Sequence, residues 1–215
     1  MKPLVFLASV APAVYLGWAA YSGHLSANPL SDITQDTGTW TLRFICLTLL
    51  LTPLRRVTGW NVLTRFRRMM GLYAFFYGTL HFLTYVILDR FAGLVDFPGG
   101  IVSLTTAKSL VKSSIGDIAM RPFITIGFAA FVLMIPLALT STTGWIRRMG
   151  GKNWALLHRL VYATGILGVV HYWWLVKADI SRPEAYAAIV AVLLGARVYY
   201  RFRQTSVRLK PDATQ

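Results

Sequence analysis

Residues 154–174 read WALLHRLVYATGILGVVHYWW. Between Arg159 and Lys177 no residue carries a formal charge, and the run of 160–176 approaches the roughly 20 apolar residues an α-helix needs to cross a bilayer core. His158 stands just before this run and His171 within it, 13 residues apart. An ionisable side chain at membrane depth costs free energy unless it is paired or ligated. The stretch therefore predicts both a membrane helix and a functional site.

Five further runs with few or no charges lie at 3–21, 40–54 (interrupted by Arg43), 71–88, 122–140 and 185–196, the last extended to Tyr200 if Arg197 snorkels to the interface. The whole predicts an all-α integral membrane protein, a six-helix transmembrane bundle over residues 1–203 followed by a flexible cytoplasmic tail over 204–215. The first run follows Lys2 and ends in small residues, as a signal peptide does, but it exceeds the roughly 7–15 residues of a signal h-region and reads as a span. Pro136 is expected to kink the fourth span, which neighbouring helices tolerate. The sequence shows no internal repeat or low-complexity tract.

Composition agrees. The 215 residues are 55% hydrophobic and 14% charged, with mean hydropathy +0.54, whereas soluble domains carry roughly 25% charged residues. One cysteine, Cys46, excludes an intrachain disulfide framework and a cysteine-cluster metal site. A net charge of +14 raises the question of phosphate binding. The basic residues, however, fall in short clusters between apolar runs, as topology signals do, which points to the lipid bilayer and away from nucleic acid.

Alternating the loops assigns Lys2, the clusters at 55–68, 147–159 and 197–208, and Lys210 to one side, fifteen basic residues against Asp212 alone; the other side holds seven of each sign. By the positive-inside rule both termini are cytoplasmic. The longest outer connection, 89–121, is then the candidate partner-docking surface. Trp40, Trp145, Trp154, Trp173 and Trp174 are expected near helix ends, in the interfacial belt, and His24 at the outer end of the first span.

His81 lies toward the outer end of the third run and His171 toward that of the fifth, so two helices of like direction bring two imidazoles to similar depth, able to hold one iron between them. His158 is separated from His171 by about 19.5 Å on an ideal helix and by roughly 140° in azimuth. It suits a second, inner site, and a bulge or bend is expected at Gly165 or Gly168 if both face the same interior. Zinc or copper is a weaker fit, since the third and fifth spans supply no carboxylate or thiolate to complete a shell.

Around these histidines, RRMMGLYAFFYGTLHFLTYV (67–86), RPFITIGFAAFVLMIPLALTSTTGW (121–145) and WALLHRLVYATGILGVVHYWW closely resemble the MsrQ (YedZ) family, haem-binding membrane subunits of bacterial periplasmic methionine sulfoxide reductase systems. More distantly, the spacing of His158 and His171 is similar to a haem-ligating helix of the ferric reductase and NADPH oxidase superfamily. The resemblance implies an inner-membrane b-type haem protein, with one haem b or two, that is not the catalytic subunit. It takes electrons from membrane quinol, or from a separate cytosolic reduced-flavin enzyme, and delivers them to MsrP, a periplasmic molybdenum-dependent reductase that repairs oxidised methionines. FMN is also implied. Carried over, His81 and His171 ligate the outer haem and His158 belongs to the inner site.

The superfamily pattern would place a second ligand about 14 residues before His81, but position 67 is arginine. The inner site thus lacks a histidine partner and is open to a labile haem, a quinone or a flavin. Arg67, Arg68, Lys152 and Arg159 are either positive-inside anchors or partners for propionate or phosphate, Arg159 being the strongest candidate because it adjoins His158. No glycine-rich dinucleotide fingerprint occurs, so a separate donor is expected. Two rivals stand beside this reading: a transmembrane ferric or cytochrome b reductase with another outer acceptor, and a non-redox transporter or scaffold with hydrogen-bonded histidines.

Overall fold

The computed structural model describes residues 2–89, 112, 116 and 120–208. Within them the chain forms α1 (Lys2–Tyr21), α2 (Pro29–Thr58), α3 (Thr64–Leu83), α4 (Pro122–Leu139), two short helices α5 (Thr143–Met149) and α6 (Gly151–Leu157), α7 (Leu160–Leu175) and α8 (Ser181–Arg208). A 3-10 turn, Asn61–Leu63, leads into α3, which continues as a π-helix over Thr84–Asp89. Four helices, Lys2–Tyr21, Pro29–Thr58, Pro122–Leu139 and Ser181–Arg203, are long and apolar enough to cross a membrane. The protein is a multi-pass helical membrane protein. The expected docking surface at 89–121 lies largely outside the described residues.

Several boundaries differ from those read from hydropathy. α2 starts 11 residues before the apolar run, because Asn28 caps it by accepting from Ser31 N and Pro29 occupies its first turn. Asp32 and Asp36, assigned to a loop by the charge count, are therefore helical. α2 ends at Gly59, whose φ of 74° is the left-handed C-cap that glycine adopts without strain. α8 is far longer than its apolar run and extends past residue 203. Trp40, expected at a helix end, lies in mid-helix and packs on Phe44 and Tyr77.

α2 is the axis of the bundle. It packs most closely on α3, as α4 does on α7, and it also meets α7 and α8. Leu42, Ile45 and Leu49 of α2 are buried and face the small surface of α7: a Cβ at Gly165 would stand 3.4 Å from Leu49 Cδ1, and one at Gly168 3.5 Å from Leu42 Cδ1. These glycines admit a neighbouring helix. The bulge expected there is absent, and α7 is regular from Leu160 to Leu175.

Polar groups in the apolar interior find backbone partners. Thr37, Thr41 and Thr48 donate their hydroxyls to carbonyls four residues earlier in α2. Arg197 of α8, expected to snorkel outward, turns across the bundle instead. It donates to its own Leu193 carbonyl at 3.1 Å and to the Leu49 carbonyl of α2, with its guanidinium 5.4 Å from the Tyr162 ring centre. This ties α8 to α2 and α7.

Two tyrosines of α3 hold α1. Tyr73 donates to Phe6 O at 3.1 Å. Tyr77, 1% exposed, donates to Ser9 O at 2.8 Å and accepts from Ala13 N at 3.1 Å, so its hydroxyl enters the α1 ladder between a carbonyl and the N–H that would ordinarily meet it. Tyr77→Phe removes the hydroxyl that ties α3 to these two groups of α1 and is expected to cost about 1–3 kcal/mol. Thermal unfolding of the detergent-purified protein measures this; an unchanged midpoint would show that the hydroxyl does not clasp α1.

Candidate functional site

His81 is the third residue from the end of α3 and His171 the fifth from the end of α7. Their rings come together, with centroids 6.1 Å apart and planes at 77°. The juxtaposition expected from their matched depth is present. It lies where α3 and α7 end and α2 and α4 begin.

Each ring is fixed by the helix beside its own. His81 Nδ1 is 3.0 Å from the Thr34 carbonyl of α2, and His171 Nδ1 is 2.7 Å from the Phe123 carbonyl of α4. A carbonyl only accepts, so in both bonds Nδ1 carries the proton and donates. That leaves Nε2 of each neutral ring with its lone pair. Metal-ligating histidines show this arrangement, the second ring nitrogen being held by a backbone carbonyl or carboxylate that sets tautomer and orientation.

The backbone beneath each ring is glycine. A Cβ at Gly38 would stand 3.0 Å from His81 Cε1 and 3.1 Å from Nδ1, and one at Gly127 would stand 2.7 Å from both Cε1 and Nδ1 of His171. Side chains cannot approach so closely without displacing the ring. Sequence reasoning missed both glycines. Each stands four residues after the carbonyl that receives its imidazole, a relation that shows only once the helices are packed.

What this pair can hold follows from its donor set. Among the described residues, no three His, Cys, Asp or Glu side chains gather to form a metal site, and a tetrahedral zinc shell needs four ligands. A macrocycle that already supplies four equatorial nitrogens needs only axial ligands from the protein. Two imidazoles bonded to one metal at roughly 2 Å each have ring centres about 6 Å apart, which the observed 6.1 Å meets. The residues fit a haem.

His158 is placed apart. It closes α6, and Arg159 begins the turn into α7, so the irregularity expected within α7 falls at His158 and Arg159 themselves. About 17 Å of regular helix separates Leu160 from His171. The His158 ring stacks on Trp154, centroids 3.9 Å apart. Its Nδ1 donates to Trp154 O at 3.1 Å, while its buried Nε2 has no hydrogen-bond partner among the described residues. Trp154 is in turn anchored by Nε1 donating to Thr140 O at 2.8 Å. Burial lowers the pKa of His158, its backbone hydrogen bonds oppose this, and the charge of Arg67 adds to the lowering; Arg67, Arg68 and Arg159 are all exposed. His24 is exposed, with its Nδ1 2.6 Å from Ser22 Oγ.

A bundle of membrane helices with two facing imidazoles defines a class, and residues 37–169 match the family described as ferric reductase like transmembrane component. Among curated relatives, the protein-methionine-sulfoxide reductase heme-binding subunit MsrQ of Ralstonia nicotianae is 52% identical over 201 residues, covering 93% of this chain and 85% of that protein. MsrQ of Herminiimonas arsenicoxydans is 45% identical over 208 residues, covering 96% and 88%. MsrQ of Xanthomonas axonopodis pv. citri is 45% identical over 223, covering 99% and 94%. The chain belongs to the MsrQ family. No solved structure matches it.

Because His158 lies outside the pair and stacks on a different element, His158→Ala is expected to leave the low-spin signature of the His81–His171 pair in place. Absorption and EPR spectra check this. Loss of that signature in His158→Ala protein with an unchanged helical circular dichroism spectrum would show that the two sites are one.

Proposed function

We propose that this chain is the haem-carrying membrane subunit of a methionine sulfoxide reductase system, moving electrons across the bacterial cytoplasmic membrane. They pass from membrane quinol to a periplasmic molybdenum-dependent reductase of the MsrP type. The observation that carries this is the His81–His171 pair: rings 6.1 Å apart, each Nδ1–H held by a helix carbonyl and each Nε2 left to coordinate. The names of the relatives, each a heme-binding subunit of a protein-methionine-sulfoxide reductase, supply the acceptor system.

When bound, the iron of a b-type haem supplies one-electron chemistry at a potential set by its ligands, hydrogen bonds and burial. The residues of the chain do the rest. His81 and His171 would hold the iron from two different helix pairs, so that neither ligand could swing away without repacking a helix. The Thr34 and Phe123 carbonyls withdraw the Nδ1 protons toward themselves, which raises the basicity of the coordinating nitrogens and favours the ferric state. The pair is partly buried among α2, α3, α4 and α7, which limits side reactions with solvent.

The positive-inside count sets both termini in the cytoplasm, and with six spans the pair then lies toward the periplasmic ends of α3 and α7. This suits delivery to an outer acceptor. His158, at the opposite end of α7 with a buried Nε2 that has no hydrogen-bond partner among the described residues, is the site for the entering electron, through a second haem, a quinol or FMN. The exposed guanidinium groups of Arg68 and Arg159 are available to propionate or phosphate there. The reductase chemistry on methionine belongs to the partner.

In proteoliposomes supplied with a quinol and an MsrP-type partner, the wild-type chain is expected to reduce the partner. His81→Ala and His171→Ala are expected to lose both outer-site haem and partner reduction, by at least about tenfold, the usual scale for loss of support to a metal ligand. Partner reduction that persists at the wild-type rate in either variant would refute the assignment of the ligands.

A further inference from the structure

The two imidazole seats are built alike, although they lie on different helix pairs. In an α-helix the N–H of residue i+4 bonds to the carbonyl of residue i. Gly38 stands four residues after Thr34, and Gly127 four residues after Phe123. Each ligand therefore lays its ring across one helical turn of the neighbouring helix, donating Nδ1–H to the carbonyl at the start of the turn and covering the glycine at its end. Glycine within a helix is destabilising relative to alanine, and at neither position is a positive φ required. The conformational freedom of glycine is thus not what these positions use. What they use is the missing Cβ, since any side chain would stand within 3.0 Å of the His81 ring or 2.7 Å of the His171 ring.

The two seats act on different helices and fix the two ring planes separately, at 77° to each other. We propose that Gly38 and Gly127 are positioning residues that hold the planes of the two axial imidazoles nearly perpendicular, and thereby set the electronic state of the iron they bind. This rests on the haem-ligand reading of His81 and His171. The physical link is the ligand field. Perpendicular imidazole planes interact with two different iron d orbitals and leave them nearly degenerate, which gives a ferric low-spin EPR signal with one large g value. Parallel planes split the pair and give a rhombic signal with a smaller maximum g. Ring orientation is therefore readable without any measurement of activity.

The seats are unequal in tightness. The His171 seat has both the shorter hydrogen bond and the closer approach, 2.7 Å in each case, against 3.0 Å for His81. A methyl group at Gly127 must push the ring off its carbonyl, whereas one at Gly38 needs a smaller shift.

The test is low-temperature EPR, redox titration and haem content on purified wild-type, Gly38→Ala and Gly127→Ala proteins. Gly195→Ala serves as control, because a Cβ there meets nothing within 4 Å. The expected result is a large-g signal in the wild type and the Gly195→Ala control. Gly38→Ala should move the signal toward the rhombic form with haem retained, and Gly127→Ala should move it further or lose haem. If Gly127→Ala does not fold, Gly38→Ala decides the matter. Haem-replete Gly38→Ala and Gly127→Ala with the wild-type g values and midpoint potential would overturn the proposal, as would a rhombic wild-type signal. Failure of the underlying reading looks different: His81→Ala or His171→Ala protein would then keep its haem and spectrum.

Discussion

Two neutral imidazoles placed inside an apolar bundle are tolerable only if each ring nitrogen has a partner. At membrane depth an unpaired polar group costs on the order of 1–3 kcal/mol. The chain meets half of the demand internally, through the carbonyls of Thr34 and Phe123. On the proposed function, the other half, the two Nε2 lone pairs, would be satisfied by the haem iron held between them. Much of the architecture follows from this. α2 must lie against α3 and α4 against α7, and each contact must be close enough for an imidazole to reach the neighbouring backbone.

Such proximity demands small surfaces. Gly38 and Gly127 open the seats, while Gly165 and Gly168 let α7 approach the buried face of α2. The polar side chains that remain inside are tied to carbonyls: the threonines of α2 to their own helix, Tyr77 to α1, Arg197 to α2. These bonds orient the helices in an environment where apolar burial gives little directional preference, since lipid tails are as apolar as leucine. A redox protein benefits from such rigidity, because ligand geometry that varies would spread its potential.

The sequence disclosed the helical membrane class, the start and end of α1 and α4, and the pairing of His81 with His171, because apolar run length and matched depth are one-dimensional properties. It did not disclose features that depend on a neighbour. Gly38 reads locally as a weak point in a helix, and its role appears only when the His81 ring is laid over it. The N-terminal turns of α2 are polar and so escaped a hydropathy reading, although Asn28 and Pro29 carry a recognisable cap. The break falls at His158 and Arg159 rather than at Gly165 and Gly168, which look like hinges until Leu49 and Leu42 are found packed on them. Arg68 and Arg159 illustrate the remaining difficulty: on sequence grounds an anchor and a cofactor partner look alike.

The central claim is that one chain carries a haem between His81 and His171. The most direct measurement is the absorption spectrum of the detergent-purified wild-type protein, oxidised and dithionite-reduced, together with a pyridine haemochrome assay for haem per chain. The account predicts a Soret band, sharp reduced α and β bands of a low-spin b-type haem, and a ratio of at least one. A colourless, folded protein purified from haem-replete cells would contradict it and leave the facing histidines as a hydrogen-bonded packing motif.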